Sequence, residues 1–362
     1  MHKYRWIITS RRCAPALRWR VQICIAGQWE YIPPLREVEN GDAVVMILLR
    51  GIWEEFDMIT VQKTKYGQFG NCAVITDGNT ECFVTLDFGP RIIRYASQNG
   101  ENMLFEGPAP FGGESGPAFD AAFGEGSVWH SYGGHRLWVS PEAMPRSYYP
   151  DNEPVAVEQI EGGARFTAEV QRWNNMALSI CVTMDEAGGL KVEHTVTNCG
   201  AWPVKCAPWA ITVVSQGGMA AVPVVKKETG LLPNRSVSLW PYAKMNDPRF
   251  GWGEHFITLR QDSGAEGPCK FGSVSEAGVA AYFNHGQMFV KHFGYTEGAE
   301  YPDGGVNFEC YTNPEILEIE SLGVMRELGP AESMEHIERW ELHRGVPMPE
   351  NEEEIAAAMR RI

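Results

Sequence analysis

The sequence has no long apolar run and no excess of positive charge, and each absence removes a class of partner. The longest apolar run, residues 43–49, is far shorter than the ~20 residues that a membrane-spanning helix needs. The formal net charge is −15, whereas binding to nucleic acid or to anionic membranes depends on clustered Lys and Arg. We therefore expect no nucleic-acid partner, no membrane partner and a cytoplasmic location.

The sequence also lacks the spacings that mark metal, disulfide and nucleotide sites. The nine cysteines are odd in number and form no C-x-x-C pair, a pattern typical of reduced structural thiols. No G-x-S-x-G, H-E-x-x-H, phosphate-binding loop or dinucleotide fingerprint occurs. We expect neither a cofactor nor a metal, and the common hydrolase, zinc-protease and nucleotide-binding classes are disfavoured.

The sequence does contain a succession of short alternating runs separated by Gly, Asn and Asp. Such runs predict β-hairpins, and no strand–helix–strand alternation interrupts them. The residues therefore predict an all-β fold, a large antiparallel β-sandwich. Residues 352–360 are the one segment that predicts a helix, with Asn351 as its cap. The predicted hairpins pair 72–76 with 82–86, 155–160 with 164–170, 178–184 with 190–197, 278–283 with 287–292, and 315–321 with 333–342.

Residues 1–57 differ from the rest because their apolar residues keep no helical or strand period. The run Ile-Thr-Val-Gln-Lys-Thr after Met58 is typical of an opening strand. We expect an irregular N-terminal extension at 1–57, a β-sandwich domain at 58–344, and a tail with a short helix at 345–362. The hypothesis that Met58 is the native start would be contradicted by an intact mass that includes Trp6 and Trp19.

The first candidate site segment is Trp-His-Ser-Tyr-Gly-Gly-His-Arg-Leu-Trp at residues 129–138, which leads to Glu142. Paired glycines let a backbone approach a ligand closely. Trp138, His135 and Arg136 offer a stacking face, a titratable proton donor and a fork of donors, a mixture that suits a sugar. A glycine-rich turn with buried aromatics and a surface arginine would give the same residues.

The second and third candidate segments are strands with polar residues at every second position. Glu309 and Tyr311 share one face, and Lys291 ends a nearby strand. Glu318 and Glu320 also share a face, and a partly desolvated glutamate can act as a general base. A solvated outer face of a sandwich would show the same alternation.

Two long segments, residues 99–128 and 233–253, are expected to form the walls of a cleft, because loops of this length are uncommon away from sites. Arg249 in the second segment either lines a pocket or pins its own loop through an ion pair.

Taken in order, these segments resemble the galactose mutarotase-like superfamily over about residues 58–344, in a bacterial branch of it. Leu-Glu-Ile-Glu at 317–320, Leu-Gly-Pro-Ala-Glu-Ser at 328–333 and His-Ile-Glu-Arg-Trp-Glu-Leu at 336–342 resemble its closing strands. Gly-Gly-His-Arg-Leu-Trp at 133–138 resembles the segment that lines the sugar cleft of aldose 1-epimerases and hexose-6-phosphate epimerases. Val-Thr-Asn at 196–198, with Ala-Pro-Trp at 207–209, matches a Thr-Asn strand that leads to a site loop.

The resemblance implies an aldose 1-epimerase-like enzyme acting on a mono- or small oligosaccharide. Glu318 is then the first choice for the base and Glu320 the second, while His135 replaces the acid histidine that is missing from residues 209–212. A non-catalytic carbohydrate-binding module on the same fold is the main alternative, and a polysaccharide lyase or glycosidase accessory domain is a third. The implied substrate-binding residues are Arg136, Trp138, Glu142, Trp209, Arg249, Lys291, Glu309 and Tyr311.

Overall fold

The computed structural model describes residues 59–362 and, before them, a two-stranded hairpin. Contacts divide the chain into two units, Met1–Phe56 and Asp57–Ile362. In the first unit, strands β1 (Gln22–Ile25) and β2 (Gln28–Tyr31) pair antiparallel. The rest of the extension predicted at 1–57 lies outside the described residues.

The second unit is built almost wholly from strands. In chain order they are β3 (Thr60–Lys65), β4 (Asn71–Thr76), β5 (Thr80–Thr85), β6 (Ile92–Ser97), β7 (Gly113–Glu114), β8 (Trp129–His130), β9 (His135–Ser140), β10 (Ala156–Ile160), β11 (Gly163–Thr167), β12 (Met176–Met184), β13 (Leu190–Asn198), β14 (Val204–Val214), β15 (Met219–Pro223), β16 (Val237–Leu239), β17 (Phe250–Trp252), β18 (Phe256–Arg260), β19 (Cys269–Ser273), β20 (Val279–Asn284), β21 (Gln287–Phe293), β22 (Phe308–Thr312), β23 (Leu317–Leu322), β24 (Arg326–Leu328) and β25 (Ser333–Arg344).

Two large antiparallel sheets contain most of these strands. Sheet A has eleven strands in the order β16-β19-β22-β23-β14-β9-β6-β5-β4-β3, with β24 attached to β14. Sheet B has ten, in the order β10-β11-β12-β13-β25-β21-β20-β15-β18-β17. The remaining two, β7 and β8, form a small pair of their own. The predicted all-β antiparallel sandwich is confirmed.

The apolar residues of the two sheets face each other and form the main core. Leu137 and Val139 of β9 and Ile319 of β23 belong to it from sheet A, and Val192 of β13 and Trp340 of β25 from sheet B. In a strand, alternate residues point to opposite faces, so each of these strands also presents a second set of side chains away from the core. In sheet A that second set carries the candidate site.

Four of the five predicted hairpins are present, since β4 pairs with β5, β10 with β11, β12 with β13 and β20 with β21. The fifth is wrong. Its two strands exist, but β23 lies in sheet A between β22 and β14, whereas β25 lies in sheet B between β13 and β21. The chain crosses between the sheets there, and local alternation carries no information about which sheet a strand joins.

The predicted C-terminal helix is α2 (Glu352–Met359), and the side chain of Asn351 caps it by accepting a hydrogen bond from the backbone N–H of Glu354. A second helix, α1 (Pro117–Phe123), lies within the long segment 99–128 and was not predicted. Short 3-10 turns cover Gly67–Phe69 and Arg146–Tyr148. Neither α-helix in the described part of the chain has the length and apolarity that spanning a membrane requires.

Candidate functional site

The face of sheet A that points away from the main core carries a row of charged residues. Ile211 on β14 is paired across the sheet with Arg136 of β9 on one side and Glu320 of β23 on the other. Glu320 is in turn paired with Glu309 of β22. Because directly paired residues point to the same side of a sheet, these side chains converge.

Two further pairs extend the row. Glu318 is paired with Tyr311 of β22, and Tyr311 is paired with Lys270 of β19. Glu318 and Glu320 therefore lie on the same face of the sheet. We call the charged residues on this face the outer cluster, and its members are Arg136, Lys270, Glu309, Glu318 and Glu320.

Lys270 is the centre of the outer cluster. Its Nζ lies 2.9 Å from Glu320 Oε2 and 2.6 Å from Glu309 Oε2. The same ammonium lies 4.9 Å from the ring centroid of Trp209 and 4.6 Å from that of Trp240, within cation–π range. Burial opposes the charge on Lys270, but Glu320 and Glu309 raise its pKa well above the usual value.

Two buried carboxylate oxygens of the outer cluster have no hydrogen-bond donor among the described residues. Glu320 Oε2 accepts from Lys270 and, at 2.7 Å, from the indole N–H of Trp209, but Glu320 Oε1 is unpartnered. Glu309 Oε1 is also without a donor, whereas Glu309 Oε2 has the Lys270 ammonium as its partner. Glu309 and Glu320 are 0% exposed. Buried polar atoms are nearly always satisfied in proteins, so these oxygens are free to accept hydrogen bonds from a ligand or from water.

Glu318 and Arg136 form the more accessible end of the outer cluster. Arg136 donates to Glu318 Oε1 at 3.2 Å, and the two side chains are 8% and 12% exposed. The guanidinium carbon of Arg136 lies 4.4 Å from the ring centroid of Trp138. Burial raises the pKa of Glu318, and Arg136 partly counteracts that rise.

Aromatic rings wall this end of the cluster. Trp138 packs edge-on against Trp209 and against Tyr148, with ring centroids 5.5 Å and 4.8 Å apart. Phe119 of α1 joins the same buried group, so the long segment 99–128 reaches the outer face as expected of a wall. The exposed Glu142 accepts a hydrogen bond from Tyr148 O–H at 2.5 Å.

The other long segment, 233–253, covers the outer cluster. Trp240 is the ring over Lys270, and the ring of Tyr242, 42% exposed, lies 6.4 Å from that of Tyr311. The site is therefore covered rather than fully open.

His135 lies on the opposite face of β9 from Arg136 and points into the core between the sheets. It is 0% exposed, and its Nε2 lies 2.7 Å from His194 Nε2. The Nδ1 of His194 lies 2.8 Å from the backbone carbonyl oxygen of His336 and so carries a proton, which leaves His194 Nε2 to accept from His135. His135 Nδ1 then accepts from the hydroxyl of Thr212, 2.8 Å away. The acid role expected for His135 does not fit this position.

Lys291 also lies in the core and not in the outer cluster. Its Nζ lies 2.9 Å from Glu338 Oε1 and contacts the carbonyl oxygen of Ile319, and both charged side chains are 0% exposed. Glu338 additionally accepts hydrogen bonds from the indole of Trp340 and from Ser321. We call this second group the inner network, and its members are His135, His194, His336, Glu338, Lys291 and Ser321.

The inner network contains donor atoms of a kind that metals use. Nitrogens of His135 and His194 and a carboxylate oxygen of Glu338 all lie within 4.8 Å of one another. However, the Lys291 ammonium already neutralises Glu338, and the two imidazoles hydrogen-bond each other. Burial lowers the pKa values of His135 and His194, which keeps both rings neutral. The network is electrically balanced by its own residues, so the geometry gives no reason to place an ion there.

Arg249 serves its own loop. It forms a paired contact with Asp247, with Nε 3.0 Å from Oδ1 and Nη2 2.8 Å from Oδ2, and it donates to the carbonyl oxygen of Gly267. Of the two interpretations of this residue, the structure shows the ion pair that pins the loop.

The structure thus brings together most of the predicted site residues. Those on or beside the outer cluster are Arg136, Trp138, Glu142, Trp209, Glu309, Tyr311, Glu318 and Glu320, whereas His135, Lys291 and Arg249 lie elsewhere. Sequence reasoning missed Lys270. The signal was weak: Lys270 sits alone in Cys-Lys-Phe-Gly-Ser, where a lysine between apolar neighbours indicates one polar face and nothing more.

Comparison with known proteins rests on structure, because no family model and no curated protein matches the sequence. A candidate aldose 1-epimerase from Klebsiella pneumoniae matches with a TM-score of 0.52 and 13% identity, over 83% of this chain and 86% of that one. A candidate mutarotase, YeaD from Salmonella typhimurium, matches with a TM-score of 0.50 and 9% identity, over 82% of this chain and 99% of that one.

A TPR-domain containing protein from Parabacteroides distasonis matches with a TM-score of 0.50 and 11% identity, over 75% of this chain and 47% of that one. At identities this low the likeness speaks for the fold, and one fold hosts many activities. The chain has the galactose mutarotase-like fold, as predicted.

Proposed function

We propose that this protein binds a neutral aldose and interconverts its anomers, as an aldose 1-epimerase-like enzyme of the cytoplasm. The observation that carries the proposal is the set of buried, donor-free carboxylate oxygens on an aromatic-walled face of sheet A. Sugar hydroxyls supply donors, and the C–H faces of a pyranose stack on rings such as Trp138. The seven cysteines in the described range are free thiols, which suits a reducing compartment.

The charges of the outer cluster favour a neutral sugar over an acidic or phosphorylated one. Arg136 is paired with Glu318, and Lys270 is shared by Glu309 and Glu320. Neither cation is left over for a phosphate. An anionic ligand would therefore find no unpaired positive charge in the cluster, whereas hydroxyl groups of a mono- or small oligosaccharide can donate to the free carboxyl oxygens.

Glu318 is the better of the two candidate bases. Its single contact, with Arg136, is 3.2 Å long, and its side chain is 12% exposed. Glu320 already accepts from Lys270 and Trp209 and is 0% exposed. Burial raises the pKa of Glu318, which makes its carboxylate a stronger base.

The experiment is NMR exchange spectroscopy of anomeric protons for a panel of neutral, acidic and phosphorylated aldoses, with and without the protein. We expect faster α/β exchange for a neutral aldose. Glu318→Gln should lower that rate by about 10² to 10⁴-fold with little change in affinity, because positioned acid–base catalysis contributes that much. Faster exchange for phosphorylated sugars alone would contradict the charge argument.

The alternative is a non-catalytic carbohydrate-binding module. It is favoured by one observation, that the expected acid His135 lies in the inner network and not beside Glu318. Line broadening of one sugar without enhanced exchange would establish this alternative, and Glu318→Gln would then have no turnover to lose.

A further inference from the structure

Opening a pyranose ring needs a proton donor as well as a base, and the outer cluster has no histidine to supply it. Within the described residues, the hydrogen-bond and ion-pair partners of the cluster are carboxylates, Lys270, Arg136 and the indole of Trp209. Arg136 does not release a proton at ordinary pH, and Glu320 and Glu309 raise the pKa of the Lys270 ammonium well above its usual value, so Lys270 also keeps its proton. The remaining donor class in the cluster is a carboxylic acid that keeps its proton.

The charges of the outer cluster require such an acid. It contains three carboxyl groups, Glu309, Glu318 and Glu320, and two cations, Arg136 and Lys270. All five groups are largely buried. A buried carboxylate without its own counter-ion is costly, and such groups take up a proton instead.

Hydrogen bonding indicates which of the three carboxyl groups is neutral. Glu320 accepts two directed hydrogen bonds, and Glu318 accepts one from Arg136. Glu309 is 0% exposed, its Oε1 has no donor, and the partner of its Oε2, the Lys270 ammonium at 2.6 Å, is shared with Glu320. Hydrogen-bond donors stabilise the ionised form of a buried carboxyl group. Of the three glutamates, Glu309 is the one whose ionised form is least stabilised, so it is the one that keeps its proton.

We propose that Glu309 holds a proton in the resting site and is the general acid of the ring-opening step, an inference that rests on the proposed function. The direction of its pKa agrees: burial raises the pKa of Glu309 well above its ordinary value, Lys270 lowers it, and the neighbouring Glu320 raises it further. Two carboxyl groups, Glu318 as base and Glu309 as acid, then take the place of the glutamate and histidine that the resemblance to aldose 1-epimerases implies.

In the step itself, Glu318 takes the proton of the anomeric hydroxyl and the electrons of that O–H bond form the C1=O double bond. The C1–O5 bond breaks, its electron pair goes to O5, and O5 takes the proton of Glu309. The products are the open-chain aldehyde, neutral Glu318 and ionised Glu309. After rotation about C1–C2, the reverse transfers close the ring on the other face and restore both glutamates.

The register of β22 and β23 places the two groups suitably. Glu309 is paired with Glu320, and Glu318 is two residues before Glu320 on the same face. The Cα atoms of such diagonal neighbours lie about 7–8 Å apart, a spacing on the scale of one pyranose ring. Lys270 beside Glu309 then stabilises the charge that Glu309 acquires when it gives up its proton.

Infrared spectroscopy tests the proton directly and needs no substrate. A protonated carboxyl has a C=O stretch separate from that of a carboxylate, and it shifts in D₂O. At pH 7 we expect this band in the wild type, in Glu318→Gln and in the control Glu335→Gln, which alters an exposed strand glutamate. The band should be absent from Glu309→Gln. A wild type without the band, a band that survives Glu309→Gln, or one lost in Glu318→Gln would overturn the assignment.

Activity then separates this inference from the proposed function. Glu309→Gln should slow anomer exchange by about 10²-fold or more, since the amide cannot donate the proton. An active wild type without the infrared band would contradict the acid role of Glu309 but not the proposed function. Anomer exchange as fast in Glu309→Gln as in the wild type would have the same meaning. If the band is present and no aldose exchanges faster, the proposed function and the acid role both fall. Should Glu309→Gln fail to fold, Lys270→Met serves instead, and it should add a second protonated carboxyl.

Discussion

Two polar groups lie on opposite sides of sheet A, the inner network in the core between the two sheets and the outer cluster on the outer face, and they differ in how well their polar atoms are satisfied. The inner network is closed: Glu338 has Lys291, Trp340 and Ser321 as partners, and each histidine of the network has one as well. The outer cluster leaves Glu309 Oε1 and Glu320 Oε1 without a donor among the described residues. Equal burial with unequal satisfaction separates a group that stabilises the fold from one arranged for a ligand.

The largest contrast should appear in stability. Glu338→Gln removes the carboxylate that pairs with buried Lys291, and breaking such a pair typically costs about 3–5 kcal/mol. Glu309→Gln replaces a carboxyl group that we propose is neutral in the folded protein and leaves Lys270 paired with Glu320, so the free energy of unfolding at pH 7 should not fall. Urea unfolding monitored by circular dichroism measures both, with Glu335→Gln as the control. Equal losses in the two variants would remove the distinction between the inner network and the outer cluster.

Acidification should change the stability contributed by the inner network and that contributed by the outer cluster in opposite directions. Burial lowers the pKa of His336 to about 3, so the folded protein keeps this histidine neutral while the unfolded chain protonates it below about pH 6.5. The contribution of neutral His336 to folding stability is present in full above about pH 6.5, the pKa of a histidine in the unfolded chain. It is lost as the pH falls from about 6.5 toward 3. His135 and His194 act in the same direction, since burial also lowers their pKa values.

Glu309 acts the other way, because its raised pKa lets the folded state bind a proton that the unfolded chain does not hold at the same pH. Glu318, also raised, adds to this opposing effect. Glu309→Gln should therefore make stability fall more steeply between pH 7.5 and 5.5, by about 1.4 kcal/mol per pH unit relative to wild type. Denaturant midpoints across this range measure the slope. Parallel slopes for the two proteins would show that Glu309 is ionised in the folded state.

The smallest effect concerns the cover of the outer cluster. Trp240→Ala removes the ring over Lys270, and loss of one stacking partner should weaken sugar binding about tenfold with stability within about 1 kcal/mol. Trp202→Ala is the matched control, because Trp202 is 79% exposed. Titration of the responsive aldose, followed by NMR line broadening, gives the affinities. Unchanged affinity would mean that the segment 233–253 covers the cluster without contacting the sugar.

Much of the fold followed from local patterns. Alternating runs with glycine-rich turns predicted four hairpins that the structure contains, and Asn351 before an acidic turn predicted the final helix. The fifth hairpin failed because β23 and β25 are close in sequence but belong to different sheets. Helix α1 was missed because a single short turn within a glycine-rich loop leaves no periodic signal.

The sequence by itself determined which residues share a strand face, because alternation is a local property of an extended chain. It thereby placed Glu318 with Glu320, and Glu309 with Tyr311. Only the tertiary structure decided which face meets the core and which strands are neighbours. That decision sent His135 inward to His194, placed Lys291 beside Glu338, and brought Lys270 between Glu309 and Glu320, since strand order and burial depend on contacts between residues far apart in the chain.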